Sequence, residues 1–242
     1  LAPEDAYLSY HDVRLTKHDI DCIKHDWLTD NAIAFWEEWL EREKLRNYPR
    51  ADIVLLRPSM TFMLMRSPDS TSLKSALPDF TKTTHIFLPV NNAKNVEVPE
   101  AGSHWSLLVV SVIDGVSFHY DSLGGDNRHE AHMASSKLSQ LLRKPLRFAQ
   151  MHDVPQQENG SDCGVYVCLF MRKLLLERLL RADAGQKISM SLRNEPFNSR
   201  KGRKLIMEII DDFRREGEKR RSRSASPYRT KSPPRIGDEQ EI

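Results

Sequence analysis

An α+β fold is predicted for this 242-residue chain by three features that follow one another along it. A helical spacing of apolar residues fills Trp27–Leu45, β-rich stretches lie between His85 and Ser122, and a nearly continuous apolar run occupies Ser161–Leu180. Helices on both sides of a small antiparallel sheet would bury all three. A content of 39% hydrophobic and 29% charged residues suits one domain with a substantial core.

In Trp27–Leu45 the residues Leu28, Ala32, Phe35, Trp36, Trp39 and Leu40 recur close to every 3.6 positions, with Glu37, Glu38, Glu41 and Arg42 on the wet side. Ile53–Met65 reads as a further helix interrupted by Pro58. His85–Val90, His104–Ile113 and Val116–Ser122 are strands, and Asp114-Gly115 between the last two is a hairpin signal. Arg128–Arg143 returns to helical spacing, Leu146–Met151 is a short strand, Ser161–Leu180 a buried helix and Lys204–Arg215 a final amphipathic helix. No linker divides the first two hundred residues, so 1–215 is taken as one domain. Residues 216–242 are Arg/Ser/Pro-rich, with too few apolar side chains to offset ordering entropy, and are expected to be a disordered tail.

No apolar run reaches the ~20 residues that span a bilayer, and no secretory segment follows Leu1, where a short leader is expected to have been removed or left out. The three cysteines, Cys22, Cys163 and Cys168, lack disulfide-like spacing and point to a reducing compartment, hence the cytoplasm or nucleus. Cys22-x-x-His25 and His129-x-x-His132 are isolated pairs, short of the three or four ligands a metal needs, so neither metal nor cofactor is invoked. The formal charge of +2 hides a nearly neutral body and a basic tail, with nine Lys and Arg against two Glu in Arg214–Arg235. Without an aromatic platform such a tail offers nucleic acid only weak, salt-sensitive binding. Lys219-Arg220-Arg221 with Ser226-Pro227 and Ser232-Pro233 reads instead as a nuclear-targeting or phosphorylation-regulated segment.

The segment from Gln156 to Gly164 has the polar, glycine-containing composition of a loop that runs straight into the apolar helix. Cys163 would then sit at a helix N-terminus, where unpaired N–H groups and the macrodipole favour a thiolate. Helix context alone favours a small core residue, the reading given to Cys168 and Cys22. A nucleophilic thiol needs a base and an orienting partner. His104 opens one strand of the hairpin and Asp121 closes the other, so antiparallel pairing makes them neighbours at one end of the sheet, unless an odd slip turns one away. His119 competes, but it lies on the same strand face as Asp121, two residues away, and is poorly placed to meet both Asp121 and a thiol. Gln157, six residues before Cys163, offers an amide that with the Cys163 backbone N–H would stabilise an oxyanion. Gly164 removes bulk beside the sulfur.

His104-Trp105, Tyr120-Asp121-Ser122, and Gln157 followed by Asp162-Cys163-Gly164 resemble the ubiquitin-like-protein-specific, or sentrin-specific, proteases from about Leu28 to Leu180. The resemblance implies a papain-like fold with the nucleophile on a central helix, a triad of Cys163, His104 and Asp121, and Gln157 in the oxyanion hole. It implies that Trp105 roofs a narrow channel for the modifier's Gly-Gly tail and that Trp27 forms another wall. Ser103–Val109 and Phe118–Ser122 look most like the deneddylase branch, where Asp30 matches a position that helps read the tail and Asn91-Asn92 precede the histidine. Thr29 replaces the usual Asn, and Ser161 stands where a Tyr often precedes the Asp-Cys pair. The implied partners are the neddylation modifier and its conjugates such as cullins. A SUMO protease with the same triad and a non-catalytic modifier-binding module are the alternatives.

Overall fold

A computed structural model describes residues 1–94, 102–183, 185–223 and 233–237. A five-stranded sheet in the order β3-β4-β5-β6-β7 organises the chain, from β3 (Ile53–Leu55), β4 (His85–Asn91), β5 (Trp105–Ser111), β6 (Val116–Tyr120) and β7 (Arg147–Gln150). The expected hairpin is present, with Val109 opposite Phe118 and Leu107 opposite Tyr120. The sheet is mixed rather than antiparallel, because both edge strands, β3 on β4 and β7 on β6, pair in parallel.

Every residue of β5 is buried, since helices cover both faces. Trp105, Leu107 and Val109 face a core shared with α2 (Asp30–Glu43) and α5 (Cys163–Arg172). Leu108 and Val110 face a second core with α3 (Pro58–Arg66) and α4 (Arg128–Leu142). The α5 helix therefore lies across the sheet centre, as the apolar run predicts. Beyond Arg172 that run widens into a π-helical stretch, Lys173–Leu179, in which the Leu180 N–H reaches the Leu175 carbonyl at 2.9 Å.

Two expectations change. Ile53–Met65 is not one interrupted helix: its β-branched start adds strand β3, and Pro58 opens α3 at its first turn, where a preset φ helps and no N–H is missed. The sequence reading also left the N-terminus unassigned. There β1 (Ala6–Tyr10) and β2 (Val13–Thr16) form a hairpin, followed by α1 (Lys17–His25), whose N-cap Thr16 makes a capping box with Asp19.

The last helix, α6 (Ser199–Arg223), crosses the boundary expected at residue 215. Side-chain pairs such as Arg214–Glu218 support its polar half. Arg235–Ile236 then returns as β8, parallel to β1, with the Ser9 and His11 N–H groups donating to the Pro234 and Ile236 carbonyls at 2.9 and 2.7 Å. Two buried apolar residues, Pro234 and Ile236, and these two main-chain bonds hold a segment whose composition looks too polar to pack. Ser226-Pro227, Ser232 and the acidic end at Asp238, Glu239 and Glu241 lie outside the described residues. Among the described residues, no helix is long and apolar enough to cross a membrane.

Candidate active site

Cys163 is the first residue of α5 and is 1% exposed. The hairpin register carries His104 and Asp121 to the same sheet end on one face, because extending the Leu107–Tyr120 pairing sets Ser106 opposite Asp121. His104 Nε2 donates to Asp121 Oδ1 at 2.7 Å. The imidazole also interacts with the Cys163 thiol, through a side-chain hydrogen bond and electrostatically. Burial opposes a charge on His104, yet the hydrogen bonds and charges of Asp121 and Cys163 outweigh it and push its pKa up to about 9. Burial likewise pushes the Asp121 carboxyl up, but bonds from His104 and from the Asn127 and Leu123 backbone N–H groups hold it below the ordinary range.

The cysteine loop is laced to the strand end that carries Asp121. The Gln157 N–H donates to the Ser122 carbonyl at 2.9 Å, Ser122 Oγ donates to Gln157 Oε1 at 2.7 Å, and Gln156 Nε2 reaches the Asp121 carbonyl at 3.1 Å. The Gln157 amide also donates to the Asn159 carbonyl at 2.7 Å, leaving a second N–H on the same nitrogen.

Trp105 is buried over the start of α5, and its indole N–H donates to the Leu28 carbonyl at 3.0 Å. Gly164, next to the sulfur-bearing residue, lies against Leu28 and Trp105. A Cβ there would meet Leu28 Cβ at 2.8 Å and Trp105 Cδ1 at 3.4 Å, so its role is close packing of α5 beneath Leu28 and Trp105. Trp27, 46% exposed, hydrogen-bonds the Gly160 carbonyl and flanks the same loop. Asn91 ends β4 opposite Trp105, and its side-chain Oδ1 accepts from the Ala93 N–H at 2.8 Å. Asp30 is exposed on the first turn of α2, three residues from Trp27. Thr29 is the N-cap of that helix, accepting from the Ala32 N–H, a task Asn performs equally well.

His119 is fully buried and engaged elsewhere, its Nδ1 with Gln150 Oε1 at 2.7 Å and its Nε2 with Ser106 Oγ at 2.9 Å. Burial lowers its pKa. It is a core histidine that ties β6 to β5 and β7. No cluster of three or more His, Cys, Asp or Glu suited to a metal occurs among the described residues.

Two asparagines hold the site: Asn92, which the sequence places only as preceding the histidine, and Asn127, which sequence reasoning missed. Asn92 Oδ1 accepts from the Ser103 and His104 N–H groups at 2.8 and 3.1 Å, clamping the entry to β5. Asn127 Nδ2 donates to the Val90 and His104 carbonyls, each at 3.1 Å, while its backbone N–H holds Asp121 Oδ2 at 2.9 Å. Asn127 stands at the N-cap of α4, where an Asn reads as a helix cap, and nothing in the sequence says that its side chain faces the strands instead.

Residues 26–195 match the family model described as the Ulp1 protease family, C-terminal catalytic domain. The chain is 39% identical over 188 residues to NEDD8-specific protease 2 of Schizosaccharomyces pombe, covering 76% of this chain and 45% of that one. It is 35% identical to NEDD8-specific protease 1 of Arabidopsis thaliana, covering 68% of this chain and 73% of the relative. The chain thus spans less than half the length of the fission yeast protein. Among solved structures, the C-terminal Ulp1 protease domain in complex with Smt3, the yeast orthologue of SUMO, superposes with a TM-score of 0.60 at 19% identity, covering 85% of this chain and 86% of that one. The likeness shows a shared α+β, papain-like fold.

Proposed function

The chain belongs to the Ulp1 protease family, and we propose that it is a cysteine peptidase that cleaves after the C-terminal Gly-Gly of a ubiquitin-like modifier, with NEDD8 as that modifier. The observation that carries the chemistry is the contact of His104 with both Asp121 and Cys163 at the start of α5. His104, oriented by Asp121, takes the proton of Cys163 or keeps the sulfur as the thiolate of an ion pair. The sulfur attacks the carbonyl carbon of the modifier's last glycine. The Cys163 N–H and the second Gln157 amide N–H hold the oxyanion. The C–N bond breaks as His104 gives its proton to the leaving amine, which is the lysine of a conjugate or the chain following the modifier in a precursor. Water, losing a proton to His104, then attacks the thioester and releases the modifier carboxylate.

Substrate choice fits the same site. Cys163 is nearly inaccessible and the residue after it packs against Trp105 and Leu28, which favours a slender Gly-Gly segment over a chain bearing side chains. Trp27 and Asn91 flank the channel in this reading, and Asp30 reads the tail beyond it. The deneddylase assignment is supported by relatives named as NEDD8-specific proteases. It carries with it NEDD8 conjugates such as cullins as partners and a cytoplasmic or nuclear setting, in keeping with three free cysteines.

Matched C-terminal reporters of NEDD8, SUMO and ubiquitin test the reading. Turnover of the NEDD8 reporter well above the others, abolished in Cys163→Ala, is expected. Preference for SUMO would overturn the modifier. Binding of NEDD8 without any adduct at Cys163 from a thiol-reactive modifier probe would make the chain a binding module.

A further inference from the structure

Arg203, on α6, spends all five of its N–H donors on one junction. Its Nε and one terminal nitrogen fork Asp162 Oδ1 at 2.9 and 2.7 Å, and that nitrogen also reaches the Ser161 carbonyl at 3.2 Å. The other terminal nitrogen caps the last turn of α1 through the Cys22 and Ile23 carbonyls at 3.0 and 2.8 Å. Asp162 is the N-cap of α5 and immediately precedes Cys163, yet its side chain makes no capping bond. Its second oxygen accepts from Asn159 Nδ2 at 2.9 Å, and the Ser199 side chain also hydrogen-bonds the carboxylate, so Arg203 is the one charged partner among these.

An aspartate at this position ordinarily extends its backbone and turns its carboxylate onto the N–H groups two and three residues on, here Gly164 and Val165. Asp162 has ψ of 1° instead. That angle sets the plane of the peptide ending in the Cys163 N–H, the donor assigned to the oxyanion. A capping carboxylate would fill the helix terminus with negative charge where the reaction develops its own.

Resting on the cysteine-peptidase reading, we propose that Arg203 is a positioning residue: by holding the Asp162 carboxylate away from α5 it aims the Cys163 N–H and keeps the first-turn donors open for the oxyanion. The sequence offers no hint of this, because Arg203 and Asp162 lie 41 residues apart.

The test compares Arg203→Met with the double variant Arg203→Met, Asp162→Ala. Both lose the α1 carbonyl caps, so any difference between them comes from the carboxylate. On the NEDD8 reporter, Arg203→Met is expected to lower kcat about 10- to 100-fold, less than the ~10²–10³-fold that follows outright removal of an oxyanion donor because the donor is misaimed rather than deleted, with KM within about 3-fold of wild type. The midpoint of Cys163 alkylation by iodoacetamide, followed on its own peptide by mass spectrometry, should move to higher pH as the released carboxylate nears the sulfur. The double variant should recover at least about 5-fold in kcat and return the alkylation midpoint toward wild type. A double variant no faster than Arg203→Met, with an unmoved midpoint, would reduce Arg203 to a structural tie and overturn the proposal. Should Arg203→Met fail to fold, Arg203→Lys, with three donors in place of five, enters the same comparison. Wild type inert on every modifier reporter defeats the peptidase reading, whereas the alkylation profiles still decide the role of Arg203.

Discussion

Asn127 grips His104 by its main chain, donating from Nδ2 to the His104 carbonyl at 3.1 Å, while its own N–H holds Asp121 at 2.9 Å. One fully buried residue thus fixes the imidazole's anchor and the carboxylate that orients it. Asn127→Ala keeps the backbone bond but removes the side-chain donor from the Val90 carbonyl and from the His104 carbonyl, which the Asn92 N–H still reaches at 3.4 Å. A stability loss of about 1–3 kcal/mol in urea unfolding is expected. Turnover should fall further than the same loss of stability placed far from the site would cause.

The proton on His104 sets a pH window. Its pKa is raised in the folded state, to about 9 from an ordinary 6.5. The stability it contributes is therefore complete below about pH 6.5 and disappears as pH rises through about 9. The difference in unfolding free energy between wild type and His104→Gln should shrink across that interval. Turnover should have its alkaline limb near pH 9. In Asp121→Asn, which removes the charge that raises His104, that limb should move to lower pH and kcat/KM should drop by ~10²–10⁴. An unmoved limb would assign it to another group.

His104 and His119 provide an internal control. Both are buried histidines near Asp121, but His119 spends both nitrogens on Gln150 and Ser106. His104→Gln should abolish reporter turnover, while His119→Gln, whose amide can keep at least one of those bonds, should hold it within about 10-fold and show its effect chiefly in thermal melts.

These residues differ in how far the sequence reveals them. His104 and Asp121 were legible because a short turn fixes which strand ends meet and a period of two fixes the face. The four-residue connection between Ser111 and Val116, in place of the two residues that Asp114-Gly115 suggests, shifts the pairing by two and so keeps that face. Cys163 was legible as the point where a polar loop enters an apolar helix. What stayed hidden depends on contacts distant in sequence. Asn127 and Asp162 both occupy N-cap positions, where local rules assign their side chains to their own helices, and both turn outward to serve the site. Pro58 misled in the opposite direction, because a proline that interrupts one helix and a proline that begins another look alike when the preceding strand is only three residues long.

Gly164 tests the packing above α5. A methyl group there would sit 2.8 Å from Leu28 Cβ, an atom fixed by its backbone and unable to swing aside. Gly164→Ala should destabilise by about 1–3 kcal/mol, or ~2–4 °C in Tm for each kcal/mol in a chain of this size. Because the strain falls on Leu28 and Trp105, KM for the modifier reporter should rise as well. Unchanged melting would mean that the roof is loose enough to admit a side chain.

The strand after α6 is the least expected element, and a single side chain examines it. Ile236 is 7% exposed within the main core, and the next residue, Gly237, has φ of +119°. Ile236→Ala should cost about 2 kcal/mol, the low end for truncating a buried isoleucine, since the site lies at the core's margin. Gly237→Ala should also destabilise, because a side chain at that φ is strained and its Cβ would approach His11 Nδ1 to 2.9 Å. An unattached tail predicts no change in either variant. Both changes lie on the β1 side of the fold, so kcat on the reporter should stay near wild type at temperatures well below the melt. A loss of kcat with full stability would instead connect the returning strand to the reaction.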